Sequence, residues 1–187
     1  MPKPSKPQVA ICLIRGINVG GAKIVRMEAL RALLAKLGYQ NAATYIQSGN
    51  IVLRSEKAPA ACEREIARAL PKTFGFSADI MVRSLADWRA ALKGNPFDTA
   101  THDPRRLLVH CLEKTPAASA LKSLDAIAVS GEEWKAKGAW LYAYFPHGIA
   151  RSKLAVGVER TLKVRATARN WNTALKLLEM GEALESS

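Results

Sequence analysis

Arg15, Asn18 and Lys23 belong to a glycine-rich stretch, Arg15-Gly16-Ile17-Asn18-Val19-Gly20-Gly21-Ala22-Lys23, that follows an apolar run. Tyr45, Gln47 and Asn50 fall in Tyr45-Ile46-Gln47-Ser48-Gly49-Asn50, and Arg169, Asn170 and Asn172 in Arg169-Asn170-Trp171-Asn172-Thr173. Guanidinium, ammonium and amide groups at this density are suited to phosphates and to base edges. None of the three segments contains a carboxylate or a histidine. The chemistry they offer is therefore recognition, and these nine residues form the candidate ligand-binding set, expected to line one polar, positively charged cleft.

Each segment also has a plainer reading. Gly16 to Lys23 spells G-x-x-x-x-G-A-K, with the lysine one residue later than in a nucleoside-triphosphate loop and Ile24 where a metal-binding hydroxyl would stand. That argues against a nucleotide triphosphatase and leaves either an anion contact or a tight turn that needs glycine. In the second segment Tyr45 and Gln47 are expected on an exposed strand face, with Ile46 in the core. There they would stack on and hydrogen-bond a base, or simply meet solvent. The third segment is expected at the front of the second helix of a helix–turn–helix spanning 153–184, with Thr167 as cap. Arg169, Asn170 and Asn172 would read nucleic acid there, or clamp the two loops internally; the clamp with a pocket is favoured.

Acid–base and metal chemistry are poorly supplied. The nearest carboxylates are Glu28 and Glu159, and no catalytic residue can be assigned. His102, His110 and His147 stand apart, so no metal site is expected, and no cofactor is indicated. Cys12, Cys62 and Cys111 lie in apolar patterns and read as buried, reduced thiols of a cytoplasmic protein.

The 187 residues carry a formal charge of +12. Residues 1–50 hold seven Lys/Arg against one acid, residues 151–176 again seven against one, and the remainder sums to zero. A basic face built from those two segments would suit a nucleotide, a phosphorylated metabolite or nucleic acid. No apolar run approaches the ~20 residues that cross a bilayer, and no membrane partner is expected. Oligomeric state is not legible.

The elements that must position these residues follow from periodicity. Residues 1–7 read as a disordered tail. Val9–Arg15 reads as a buried strand, and Met27, Leu30, Leu33, Leu34 and Leu37 as a helix closed by Gly38. Ala42–Gln47 and Asn50–Arg54 read as strands around a Ser48-Gly49 turn, Pro59 to Gly75 as a helix, and Ala78–Arg83 as a strand. This is a βαββαβ order, expected to form a ferredoxin-like lobe over 8–83. Residues 84–187 are expected to form a second, smaller α/β lobe ending in helices, the whole an α+β protein packed as one unit. In it Ser84 caps a short helix, Leu107–Leu112, Ala126–Val129 and Ala139–Phe145 are strands, and 117–124, 153–162 and 169–184 are helices, with Trp171, Leu175 and Leu178 inward.

Taken together, Leu13–Gly21, Tyr45–Asn50 and Arg169–Thr173, with Asn95-Pro96-Phe97 and Arg151-Ser152-Lys153, resemble the bacterial DUF1697 family over about residues 9–180. The first loop, Ala22-Lys23-Ile24, is less rich in Lys and Asn than is usual there. The resemblance implies a cytoplasmic α+β protein of two similar-sized lobes and supplies no catalytic residues. The functional expectation is a phosphate-bearing ligand, with an enzyme acting on a small anion or a non-catalytic interaction module as the alternatives.

Overall fold

Sequence periodicity places strands and helices in nearly the expected order in the computed structural model, which describes residues 7–39 and 41–187. Residues 1–6 of the expected tail lie outside the described residues. The protein is α+β, with two four-stranded antiparallel sheets and six α-helices among the described residues.

The first half contains β1 (Gln8–Ile14), α1 (Met27–Lys36), β2 (Ala43–Tyr45), β3 (Asn50–Ser55), α2 (Pro59–Phe74) and β4 (Ile80–Ser84), followed by α3 (Leu85–Lys93). Its sheet has the order β2-β3-β1-β4. Alternation along the strands gives two apolar faces. Ala10, Cys12, Ile14, Ile51, Leu53, Ile80 and Val82 pack with Leu30 and Leu34 of α1 and Cys62, Ile66 and Leu70 of α2. On the opposite face Ile11, Leu13, Val52 and Met81 are buried as well. Proline at the first turn starts α2, and Gly75, at φ +78°, ends it in the left-handed conformation.

The second half repeats the pattern. β5 (Leu107–Leu112), α4 (Ala118–Lys122), β6 (Glu133–Lys137), β7 (Trp140–Tyr144), α5 (Lys153–Leu162) and β8 (Ala166–Asn170) precede α6 (Trp171–Ser186). The sheet order is β6-β7-β5-β8, which is again second, third, first, fourth. Leu141, Ala143 and Phe145 join Leu154, Val158 and Leu162 in this core, while Tyr142 on the other face donates to Ala91 O at 2.6 Å. Contacts divide the chain into two units: one through Ala90 together with Lys176–Ser187, the other Ala91–Leu175.

The correspondence extends to local chemistry where each sheet hands over to a helix. Arg83 donates from Nη1 to Val82 O at 2.8 Å, and Ser84 Oγ accepts from Asp87 N at 3.0 Å. Arg169 donates from Nη1 to Ala168 O at 2.7 Å, and Asn170 Oδ1 accepts from Thr173 N at 2.8 Å. Both helices thus start on a side-chain oxygen that accepts from the third backbone N–H, preceded by an arginine turned back on its own strand.

Four expectations are corrected. Residues 153–184 are helix, strand, helix, so they are not a helix–turn–helix, and Asn170 caps α6 while Thr167 lies inside β8. Alanine and threonine alternate across 166–168 and pair with β5, a match of edges that spacing alone does not show. Ala126–Val129 is not a strand; its place is taken by β6, whose Glu-Trp-Lys-Ala-Lys sequence is charged on its outer positions. The first hairpin has a four-residue connection, Ile46–Gly49, because β2 ends at Tyr45, paired with Asn50. Leu175 is 44% exposed, and Ala174 and Leu177 are the fully buried residues of that turn.

Candidate functional site

The loop after β1 and the β2–β3 turn lie at the same end of the first sheet, since β1 and β3 are antiparallel with Leu13 opposite Asn50. Asn18 ties them together. Its Nδ2 donates to Val25 O at 2.9 Å and to Gln47 O at 2.8 Å, and its Oδ1 accepts from Val25 N at 2.8 Å. Its own N–H donates to Lys23 O at 3.2 Å. Both N–H donors of this amide and one acceptor site of its oxygen are engaged inside the protein. Asn50 is fully buried and donates to Tyr45 O at 3.2 Å and Ser48 Oγ at 2.8 Å, which closes the turn from within.

The neighbouring cations are also held. Arg15 approaches Asp79 at 3.6 Å, both side chains a little over two-fifths exposed, and Lys23 donates to Ser77 O at 2.9 Å with its ammonium 5.8 Å from the Phe76 ring centre. Gly49 packs against β1 so tightly that an added Cβ would lie 2.7 Å from Ile14 O, at φ +75°. The first unit therefore brings Arg15, Asn18, Lys23, Tyr45, Gln47 and Asn50 together as a hydrogen-bonded knot. Ile46, expected in the core, is instead 53% exposed at φ +48°. The sheet surface expected to stack a base is buried at its centre.

Arg169, Asn170 and Asn172 lie in the second unit. Arg169 is half-buried and bonds Thr167 Oγ1 at 2.9 Å and Ala168 O; Asn170 is the cap of α6; Asn172 is exposed on its first turn.

Cations without such engagement lie on α2. Arg64, Arg68 and Lys72 are exposed, recur at i, i+4 and i+8, and line a groove of about 470 Å³ with Leu37, Ala61, Glu65 and Ala69. None of the three makes a hydrogen bond or ion pair among the described residues. Of the acids of α2, Glu65 lines the same groove and the charge of Arg68 helps lower its carboxyl, while Glu63 is drawn to strand β4. Glu63 accepts from Val82 N at 3.1 Å on edge strand β4, and Glu65 accepts from Tyr39 and from Lys57 Nζ, the latter at 2.7 Å. Burial alone would raise the Glu65 carboxyl, but the bonds from Lys57 and Tyr39 hold it below its usual range. Spacing at four residues was the signal in the sequence; the alternating Glu63, Arg64, Glu65 pattern concealed it by placing acids between the cations.

The second unit holds a histidine–carboxylate contact. His102 Nε2 is 3.6 Å from Glu133 Oε1, and its ring lies against Tyr144, edge-on at 4.6 Å between centres, and Phe97. Among the described residues no three His, Cys, Asp or Glu side chains gather as a metal site, and the three cysteines are free and buried. No helix among them is long and apolar enough to cross a membrane.

Comparison with known proteins agrees with this architecture. A conserved bacterial protein, SP0830 from Streptococcus pneumoniae, shares the fold with a TM-score of 0.70 at 23% identity, over 94% of this chain and 99% of that one. An unknown protein from Galdieria sulphuraria covers 88% of this chain and 99% of its own at 10% identity, and its TM-score of 0.27 carries no structural argument. No curated protein matches the sequence. The profile described as "Protein of unknown function (DUF1697)" matches residues 8–142, and the chain belongs to that family.

Proposed function

We propose that this protein is a non-catalytic binding module for a phosphate-bearing ligand, and that the ligand is a nucleic-acid strand lying along α2. The observation that carries the reading is the row of Arg64, Arg68 and Lys72 on one open groove, where the three cations outnumber the one lining carboxylate, Glu65, which also pairs with Lys57. Eight residues of helix span roughly 12 Å, so the row suits successive phosphates better than a single one. The nine residues read from the sequence enter this proposal differently. Arg15 is paired with Asp79 and Lys23 donates to Ser77 O, so neither belongs to the row, whereas Asn18 and Asn50 shape the loops. A ferredoxin-like arrangement for residues 8–83 and a cytoplasmic location, in keeping with buried reduced thiols, belong to the same proposal.

The test is binding of single-stranded oligonucleotides across a salt series, with thermal shift against mononucleotides in parallel. Wild type should bind with a slope that falls by about 2 in log K per log salt in R64A/R68A/K72A, near 0.7 for each phosphate that is no longer neutralised. A salt-independent shift with one mononucleotide, unaffected by the triple substitution, would sink this reading. The His102–Glu133 contact favours a second reading, an enzyme using His102 as base on a small anion. A phosphorylated metabolite that stabilises wild type but not His102→Gln would support it.

A further inference from the structure

At the end of the first sheet the Asn18 and Asn50 amides bond inward, and three aliphatic side chains stand exposed beside the exposed Arg15, Lys23 and Gln47. Asn18 holds Val25 and Gln47, and the chain neighbours of those three residues include Val19, Ile24 and Ile46. These are 66%, 67% and 53% exposed, half of the large exposed hydrophobics among the described residues. Ile46 holds φ at +48°, a region that β-branched residues avoid because their Cβ crowds the backbone. An exposed isoleucine contributes little to the core, and asparagine or glycine would suit that backbone better. Folding stability therefore does not account for it.

Charge narrows the partner. Segments 15–27 and 42–50 contain Arg15, Lys23 and Arg26 and no carboxylate; Arg15 pairs with Asp79 at 3.6 Å, while Lys23 and Arg26 have no carboxylate partner among the described residues. An anionic counter-surface fits them. A second copy of this chain does not, since each carries +12. Three aliphatic side chains also fall far short of the roughly 800 Å² per partner of a stable protein interface. A small apolar tip with a cationic collar is enough, however, for reversible attachment to a fluid surface, where insertion and attraction to charged headgroups add.

We propose that Val19, Ile24 and Ile46 dock this protein onto anionic membrane surfaces, with Lys23 and Arg26 facing the headgroups. The expectation of no membrane partner rested on the lack of a spanning run, which a loop tip does not require. The proposal does not use the α2 groove.

Co-sedimentation with phosphatidylglycerol-containing vesicles, and with phosphatidylcholine vesicles as control, tests it on the full chain. Wild type should partition onto the anionic vesicles only. V19S/I24S/I46N, which keeps every charge, should partition at least about tenfold more weakly, with its oligonucleotide binding unchanged. An environment-sensitive dye on Ile46→Cys, the native cysteines being buried, should blue-shift on the anionic vesicles. Equal partitioning of the serine/asparagine variant and wild type would mean attraction by charge alone and would overturn the proposal, as would an unshifted dye. So would loss of oligonucleotide binding in that variant, which would assign the tip to nucleic acid. Failure of oligonucleotide binding in wild type bears on the α2 groove and leaves the vesicle result to be read by itself.

Discussion

Ile46 and Gly49, three residues apart in one turn, show how differently a left-handed backbone can be occupied. At Gly49 the conformation and the space both demand glycine, because a Cβ would meet Ile14 O at 2.7 Å and Ile14 Cβ at 2.9 Å. Gly49→Ala should lower stability by about 3 kcal/mol through strain at a special backbone position and displacement of β1, read as a reduced denaturant midpoint at unchanged m. At Ile46 the residue is 53% exposed, so burial gives little in compensation. Ile46→Asn should therefore raise stability by about 1 kcal/mol, since asparagine visits this region routinely. Asn18→Ala removes the bonds to Val25 O and Gln47 O and leaves both carbonyls without that partner. It should cost about 2 kcal/mol, and amide hydrogen exchange should speed up across the two loops while the strands keep their protection. The polar residues were legible in the sequence, but their direction was not. A motif rich in Asn, Gly and Arg looks the same whether it grips a ligand or grips itself.

At the scale of elements, β5 carries a buried group that its alternation did not single out. His110 shares a face with Leu108 and Leu112, is 3% exposed, and has Nε2 buried without a hydrogen-bond partner among the described residues. Burial pushes its imidazole down to about 4 from an ordinary 6.5. Protonation thus favours the unfolded chain. The stability associated with neutral His110 is present above pH 6.5, declines as pH falls below it, and is lost as pH passes down through about 4, a difference of about 3 kcal/mol. Chemical denaturation at pH 7 and pH 4 should show that difference shrinking in His110→Leu, where the strand keeps an apolar residue on the same face. Strand β6 teaches a related lesson. Its burial alternates between exposed and half-buried, and its charged sequence resembles a loop until pairing with β7 fixes it.

For the whole molecule, two features depend on contacts distant in sequence. One is repetition: two halves without readable sequence similarity share element order, strand order and the chemistry of the strand-to-helix junction. The motif at 169–173 gains a structural explanation from this, since Arg83-Ser84 performs the same local work in the first unit. The other is charge. With +12 spread over a small protein, like charges repel in the folded state more than in the expanded one. Raising ionic strength from about 0.01 to 0.15 M shortens the screening length from about 30 to 8 Å, and the melting temperature should rise accordingly. A fall would mean that ion pairs such as Arg89 with Glu182 and Glu185 outweigh the net repulsion.

The sequence by itself determined the α+β class, the helices α1, α2 and α5, the strands β1 and β5, the buried thiols and the family, because each depends on local periodicity, turn chemistry or a contiguous motif. Tertiary structure alone decided which polar groups were already taken. Asn18 faces Gln47 across 29 residues, Glu63 reaches Val82 across 19, and Glu65 meets Tyr39 across 26. Those long-range bonds engage amides and carboxylates within the protein and leave Arg64, Arg68, Lys72 and the aliphatic tip exposed. A hydrogen bond satisfies a group only where its partner is brought within about 3 Å, and that distance is a property of the folded chain.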